Sequence, residues 1–169
     1  MINKDKAIKG AVAAVLFTVG VSMCLAAPKM AHAASWSAWS DVKQASCYGG
    51  ADEPWETHTA TGKRITSKTK YIAVPMNRVT SKKCWLKLSK SQKYRFFYYG
   101  EKIKLVRKCK CKVKIHKVVV RVEDCGGFSG YYGIRKGKRI ERLFDLTPAV
   151  KKSLHVDGLG WVRFRYEVR

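Results

Sequence analysis

Acidic side chains are scarce in this sequence: 12 Asp and Glu stand against 35 Lys and Arg, a formal charge of +23 at neutral pH. A chain so short of carboxylates gathers polyanions around itself. It also makes each acid that it keeps worth explaining, above all the Glu123-Asp124 pair that interrupts "VVVRVEDCGGFSGYYG". Histidine is equally sparse, and His58, His116 and His155 have no partner spacing that singles any of them out. Cys109 and Cys111 form a C-x-C near His116, but no second ligand pair occurs at metal spacing, so no metal and no cofactor are expected. Cys24 lacks the small preceding residue of a lipid-modified cysteine. No recognised nucleic-acid-binding motif is present, which argues against a nucleic-acid partner in spite of the charge. Long helical periodicity is missing as well: "CYGGADEPWETHTATGK" reads as loop.

What is present begins with residues 1–33. Lys4, Lys6 and Lys9 precede the apolar run "GAVAAVLFTVGVSMCLAA", and "AHA" closes the segment at Ala33, the pattern of a secretory signal peptide. Its removal takes Lys4, Lys6, Lys9, Lys29 and Asp5 with it, leaving 31 basic and 11 acidic residues, a formal +20. The expectation is a secreted protein, wall-associated and without a stable membrane anchor after cleavage. Five cysteines remain in the mature chain, an odd number that leaves at least one thiol unpaired in a monomer.

The 169 residues suit one domain, and most of the chain after residue 70 reads as short strands. These are "YIAVPM", "CWLKLS", "YRFFYYG", "EKIKLVRK", "CKCKVKIH", "KVVVRVED", "GKRIERLFDL" and "WVRFRYEVR". In the last of them Val162, Phe164, Tyr166 and Val168 share one face, as in a half-buried strand. A short strand is also expected around residues 46–48. In "KCKCKVKIHK" the lysines share the other face, as an exposed strand protected from edge pairing or as a cationic stripe. One short helix is predicted in "LTPAVKKSLHVDG", capped by Thr147, begun by Pro148 and stopped by Gly158. Many short strands with one small helix point to an all-β barrel.

"VVVRVEDCGGF", with "GKRIERLFDLTPAVKKSLHVDGLGWVRFRYEV" after it, resembles the second half of the six-stranded double-psi β-barrel of rare lipoprotein A-like proteins, expansins and the three-Asp ("3D") domain of bacterial wall proteins. Asp124, Asp145 in "DLT" and Asp157 in "DGL" match that pattern in order. Upstream, "SCYGG", "TATGKRI" and "YYGEKIKLV" are similar to the family's opening Tyr-Gly segment, its "TASGERF" and its "PFGTRVRV". The resemblance implies residues 34–45 as a linker and 46–169 as the barrel domain. The departure lies in "YIAVPM", where Pro75 stands in place of the family's His or Asp. Residues 79–97 look inserted.

By that resemblance Asp124 lies in an open groove and acts on the β-1,4 glycosidic bonds of peptidoglycan, as general acid and then base in a lytic transglycosylase-like reaction. A raised pKa, from apolar neighbours and from Glu123, would suit an acid. Asp52, Glu53 and Glu56 are available as a second carboxylate, and Asp145 is expected to bond backbone near the helix start. Gly126 and Gly127 would keep the groove floor clear, and Tyr48, Trp55 and Tyr99 could meet sugar rings. Expected partners are peptidoglycan and anionic wall polymers, with the protein a monomer. The competing reading is a non-catalytic, expansin-like module that binds or loosens the wall.

Overall fold

The computed structural model describes residues 34–49, 53–108 and 114–168. The expected signal peptide, Asp52 and the Cys109-x-Cys111 motif lie outside the described residues. Eight strands are present among the described residues: β1 Ser35–Trp36, β2 Lys43–Cys47, β3 Tyr71–Pro75, β4 Lys102–Lys108, β5 Ile115–Gly126, β6 Tyr132–Arg135, β7 Lys138–Leu146 and β8 Gly160–Val168. Two short α-helices accompany them, α1 Lys82–Leu86 and α2 Pro148–Leu154. The fold is all-β in class. No helix among the described residues is long and apolar enough to cross a membrane.

Hydrogen bonding runs from β8 to β2, β7, β3, β5 and β4, and β4 pairs with β8 again, so six strands close into a ring. Two of the pairings, β2 with β7 and β3 with β5, are parallel; the other four are antiparallel. β1 adds to β8, and β6 forms a hairpin with β7 through Lys136 and Gly137, both at positive φ. β1 and the first residues of β2 therefore contribute pairings from within the stretch expected to be a linker.

Alternation explains why the ring has an apolar inside. Val118, Val120 and Val122 of β5 are buried while Lys117, Val119 and Arg121 are exposed. In β8 Val162, Phe164 and Tyr166 are buried as expected, whereas Val168 is exposed. Phe97, Phe144 and Phe164 meet at ring-centroid distances of 5.1–5.8 Å, mostly edge to face as aromatic quadrupoles favour. Val150 and Leu154 of α2 join the same core.

Several local expectations are corrected. "CWLKLS" is not a strand: Ser81 Oγ accepts the Cys84 backbone N–H at 3.2 Å and starts α1. Trp85 is the buried residue of that helix, packed edge-on against Tyr98 and Tyr166 and donating its indole N–H to the Phe96 carbonyl at 2.9 Å. "YRFFYYG" is likewise irregular, with one isolated bridge between Val79 and Phe97. The chain thus carries a second helix, in the stretch that looks inserted. Thr147 precedes α2, yet its hydroxyl does not cap; it bonds the backbone of Thr69 and Tyr71 instead. The left-handed residue that ends α2 is His155, at φ 52°, ahead of Gly158.

Candidate active site

One row of backbone positions builds the site. Ser46 on β2 pairs with Asp145 on β7, Asp145 pairs with Ala73 on β3, and Ala73 pairs with Asp124 on β5. Neighbouring strands lie about 4.8 Å apart, so the two aspartate backbones are roughly 10 Å apart, with only a methyl side chain between them. All four residues line an open groove of about 660 Å³. Tyr48, Gly126, Gly127 and Phe128 line it as well, and Glu53 and Glu56 approach from the N-terminal loop. Four of the 12 acidic residues in this basic chain therefore converge on one groove.

The two aspartates are held differently. Asp124 Oδ1 accepts the backbone N–H of Ala60 at 2.9 Å and of Cys125 at 2.8 Å. Asp145 Oδ1 accepts the Ser46 hydroxyl, leaving Oδ2 for a proton. Burial pushes the Asp145 carboxyl up to about 7; Arg142 opposes the shift, and the charges of Glu53, Glu56 and Asp124 add to it. Asp145 bonds a side chain across the sheet rather than backbone amides at the helix start, the role expected of it. Glu56 is also raised, first by burial and then by Glu53 and Asp124.

Tyr48 is buried beneath the groove, 6% exposed, with its hydroxyl turned to the Asp124 carboxylate. Burial first, then the nearby Asp124 carboxylate, raises its pKa well above the phenol range, so it keeps its proton. Gly126 is needed locally, because a Cβ there would sit 2.9 Å from the Phe128 ring; Gly127 faces open space. Trp55, 73% exposed, stands among the groove residues, whereas Tyr99 is not one of them and donates its hydroxyl to Cys125 Sγ at 3.1 Å.

Glu123 is not in the groove. Its side chain is buried, ion-paired with Lys63 and hydrogen-bonded by Thr61 at 2.9 Å. The β3–β5 register shifts here, with Val122 opposite Ile72 and Asp124 opposite Ala73, so Glu123 is the extra residue of a bulge and its side chain turns to Lys63 and Thr61 instead of the groove. Pro75 ends β3 opposite Gly126, and no titratable side chain is supplied at that position. Sequence reasoning missed Ser46 and Arg142. The "SCYGG" segment carried a signal for the first; nothing marked Arg142 among so many cations.

Among the described residues no group of His, Cys, Asp and Glu could hold a metal ion. No family model matches the chain, and no curated protein matches it. The groove is therefore where the function has to be read.

Proposed function

We propose that this is a secreted, wall-associated protein of double-psi β-barrel type that binds peptidoglycan and cleaves its glycan strands. The ring of six strands with two parallel pairs supports the barrel assignment. The observation that carries the activity is the pair Asp124 and Asp145, facing one groove across Ala73 with one carboxyl held near neutrality. Cleavage of a glycosidic bond needs a proton on the leaving oxygen and a base for the attacking hydroxyl. Asp145 supplies the proton. Asp124 takes one, either from the sugar's own 6-hydroxyl, leaving an anhydro end, or from water, leaving a reducing end. This moves the acid role from Asp124, where the sequence suggested it, to Asp145. Carboxyls about 6.5–9.5 Å apart are usual where water or another hydroxyl must fit between them, and two strand spacings are of that order.

A second reading, an expansin-like module that binds wall glycan without cleaving it, is favoured by Pro75 at the position of the family's His or Asp. Mass spectrometry of fragments released from purified peptidoglycan separates the two. Wild-type protein is expected to release muropeptides, anhydro-ended or reducing, that Asp124→Asn and Asp145→Asn do not. Sedimentation with the wall and no fragments from any form refutes cleavage and leaves the binder.

A further inference from the structure

A second groove, of about 640 Å³, lies at the other end of the strands. On β5, Lys117 lines it seven residues before Asp124, which at about 3.3 Å per residue separates the two sites by roughly 23 Å along the strand. Its walls carry Trp39, Trp161, Arg107, Lys117, Arg135 and Arg163, and among the described residues no carboxylate lines it. The cations are set by register. Arg163 on β8 and Lys117 on β5 both pair with Val106 on β4, so two exposed positive side chains flank one apolar residue in a single row. Arg135 reaches in from the β6–β7 hairpin, its guanidinium 5.8 Å from the Trp161 ring centroid. Arg107 is tied to the Leu154 carbonyl at 3.3 Å. Lys117, Arg135 and Arg163 form no ion pair with any described carboxylate.

Charge and apolar surface are mixed here as a charged sugar polymer needs them. Like charges gathered in a concave site reinforce one another's field and gain most from a polyanion. Two half-buried indoles line the groove, each with a guanidinium over its ring, Arg165 at 4.7 Å from the Trp39 centroid and Arg135 at 5.8 Å from that of Trp161; their apolar rings are the surface type on which a pyranose packs. The first groove, with its four carboxylates, has the opposite sign and cannot serve the same ligand groups.

We propose that this groove is a separate binding site for an acidic glycan. Sugar faces rest on Trp39 and Trp161, and the polymer's carboxylate or phosphate groups pair with Lys117, Arg135 and Arg163. The choice of a glycan over other polyanions rests on the wall-directed reading above.

Binding is measured on the full mature protein with four probes: polygalacturonate, a glycosylated polyglycerol phosphate, sugar-free polyphosphate and a thymidine oligonucleotide. Arg135→Glu with Arg163→Glu is expected to weaken both glycans by about tenfold, the effect of losing two paired charges. The same charge change at Lys83→Glu in α1 with Lys87→Glu just after it, both exposed, is expected to change affinity by less than about twofold. Trp161→Ala is expected to weaken the glycans by about fivefold and to leave polyphosphate unchanged. Preference between the two glycans identifies carboxylate or phosphate as the anionic group. Equal losses in the two charge-reversal pairs would mean diffuse attraction and overturn the site, as would tightest binding to the oligonucleotide. Asp145→Asn is expected to retain this binding while losing fragment release. Localised glycan binding in a protein that releases no fragments therefore refutes cleavage alone, and fragment release without localised binding refutes this site alone.

Discussion

Asp124 and Asp145 share a single backbone partner, Ala73, each facing it from the strand on one side. Ala73 is small and buried against Tyr48 and Phe128, so the two acids are separated by one methyl side chain that packs beneath those rings. Replacing it with Leu is expected to abolish fragment release, since the new side chain would project between the acids, at a cost in stability of about 1–3 kcal/mol from crowding. Thermal melting together with the fragment assay separates the two effects.

On the proposed mechanism, the pH dependence of cleavage is set by Asp145. Its carboxyl, pushed up to about 7, is protonated below that value and ionised above it. A step that needs the proton is therefore present in acid and lost as pH rises through about 7. Rates of fragment release from pH 5 to 9 are expected to show that descending limb, and Asp145→Asn should be inactive throughout. A rate that climbs steadily above neutrality contradicts Asp145 as the acid.

Stability is expected to fall over a similar range for a different reason. Glu101 is 1% exposed, its Oε1 has no hydrogen-bond partner, and burial raises its pKa to about 8 although the Tyr98 N–H bond at 3.2 Å and Lys93 oppose the shift. A carboxyl whose folded pKa lies above the unfolded value binds a proton more tightly in the native state. Native stability therefore declines as pH rises from about 4.5 to 8; the loss is on the order of 2–5 kcal/mol. Glu101→Gln, which cannot ionise, should flatten the fall of melting temperature with pH. An unchanged slope in the variant would falsify the assignment to Glu101.

Glu123 and Lys63 form a structural pair rather than a catalytic one. Lys63→Met leaves the buried carboxylate with Thr61 alone, a loss of roughly 1–3 kcal/mol because the lysine is partly solvated. Denaturant titration should register that loss, while Glu123→Gln retains fragment release. Loss of release in a folded Glu123→Gln would return Glu123 to the site.

Gly126 and Gly127 separate cleanly. Gly126→Ala drives a methyl into the Phe128 ring and is expected to cost about 1–3 kcal/mol, whereas Gly127→Ala meets open space and should stay within about 0.5 kcal/mol of wild type. The melting temperatures of the two variants provide the comparison.

The strands that were legible in the sequence are those with strict two-residue alternation against one apolar face, such as Val118 to Val122 and Val162 to Tyr166. Where aromatics clustered without alternation, in "CWLKLS" and "YRFFYY", β propensity pointed to strand, but a serine cap and one anchored indole won. At the site, Asp124 and Asp145 were both identifiable as residues. The division of labour proposed for them was not, because it depends on Ser46, Ala73 and the convergence of Glu53 and Glu56, all brought in by contacts between distant segments. Glu123 misled because the bulge that turns it away from Asp124 is set by pairing with β3, which the local sequence does not show.

The strand that closes the ring, β8, is the last of those described, and its partners β1, β2 and β4 all precede it, the nearest of them ending at Lys108. Circular closure is accordingly a late event in the life of the polypeptide. Until residues 160–168 emerge, β2, β7, β3, β5 and β4 can pair in a row, but the two outer edges of that row, on β2 and β4, have nothing to join them.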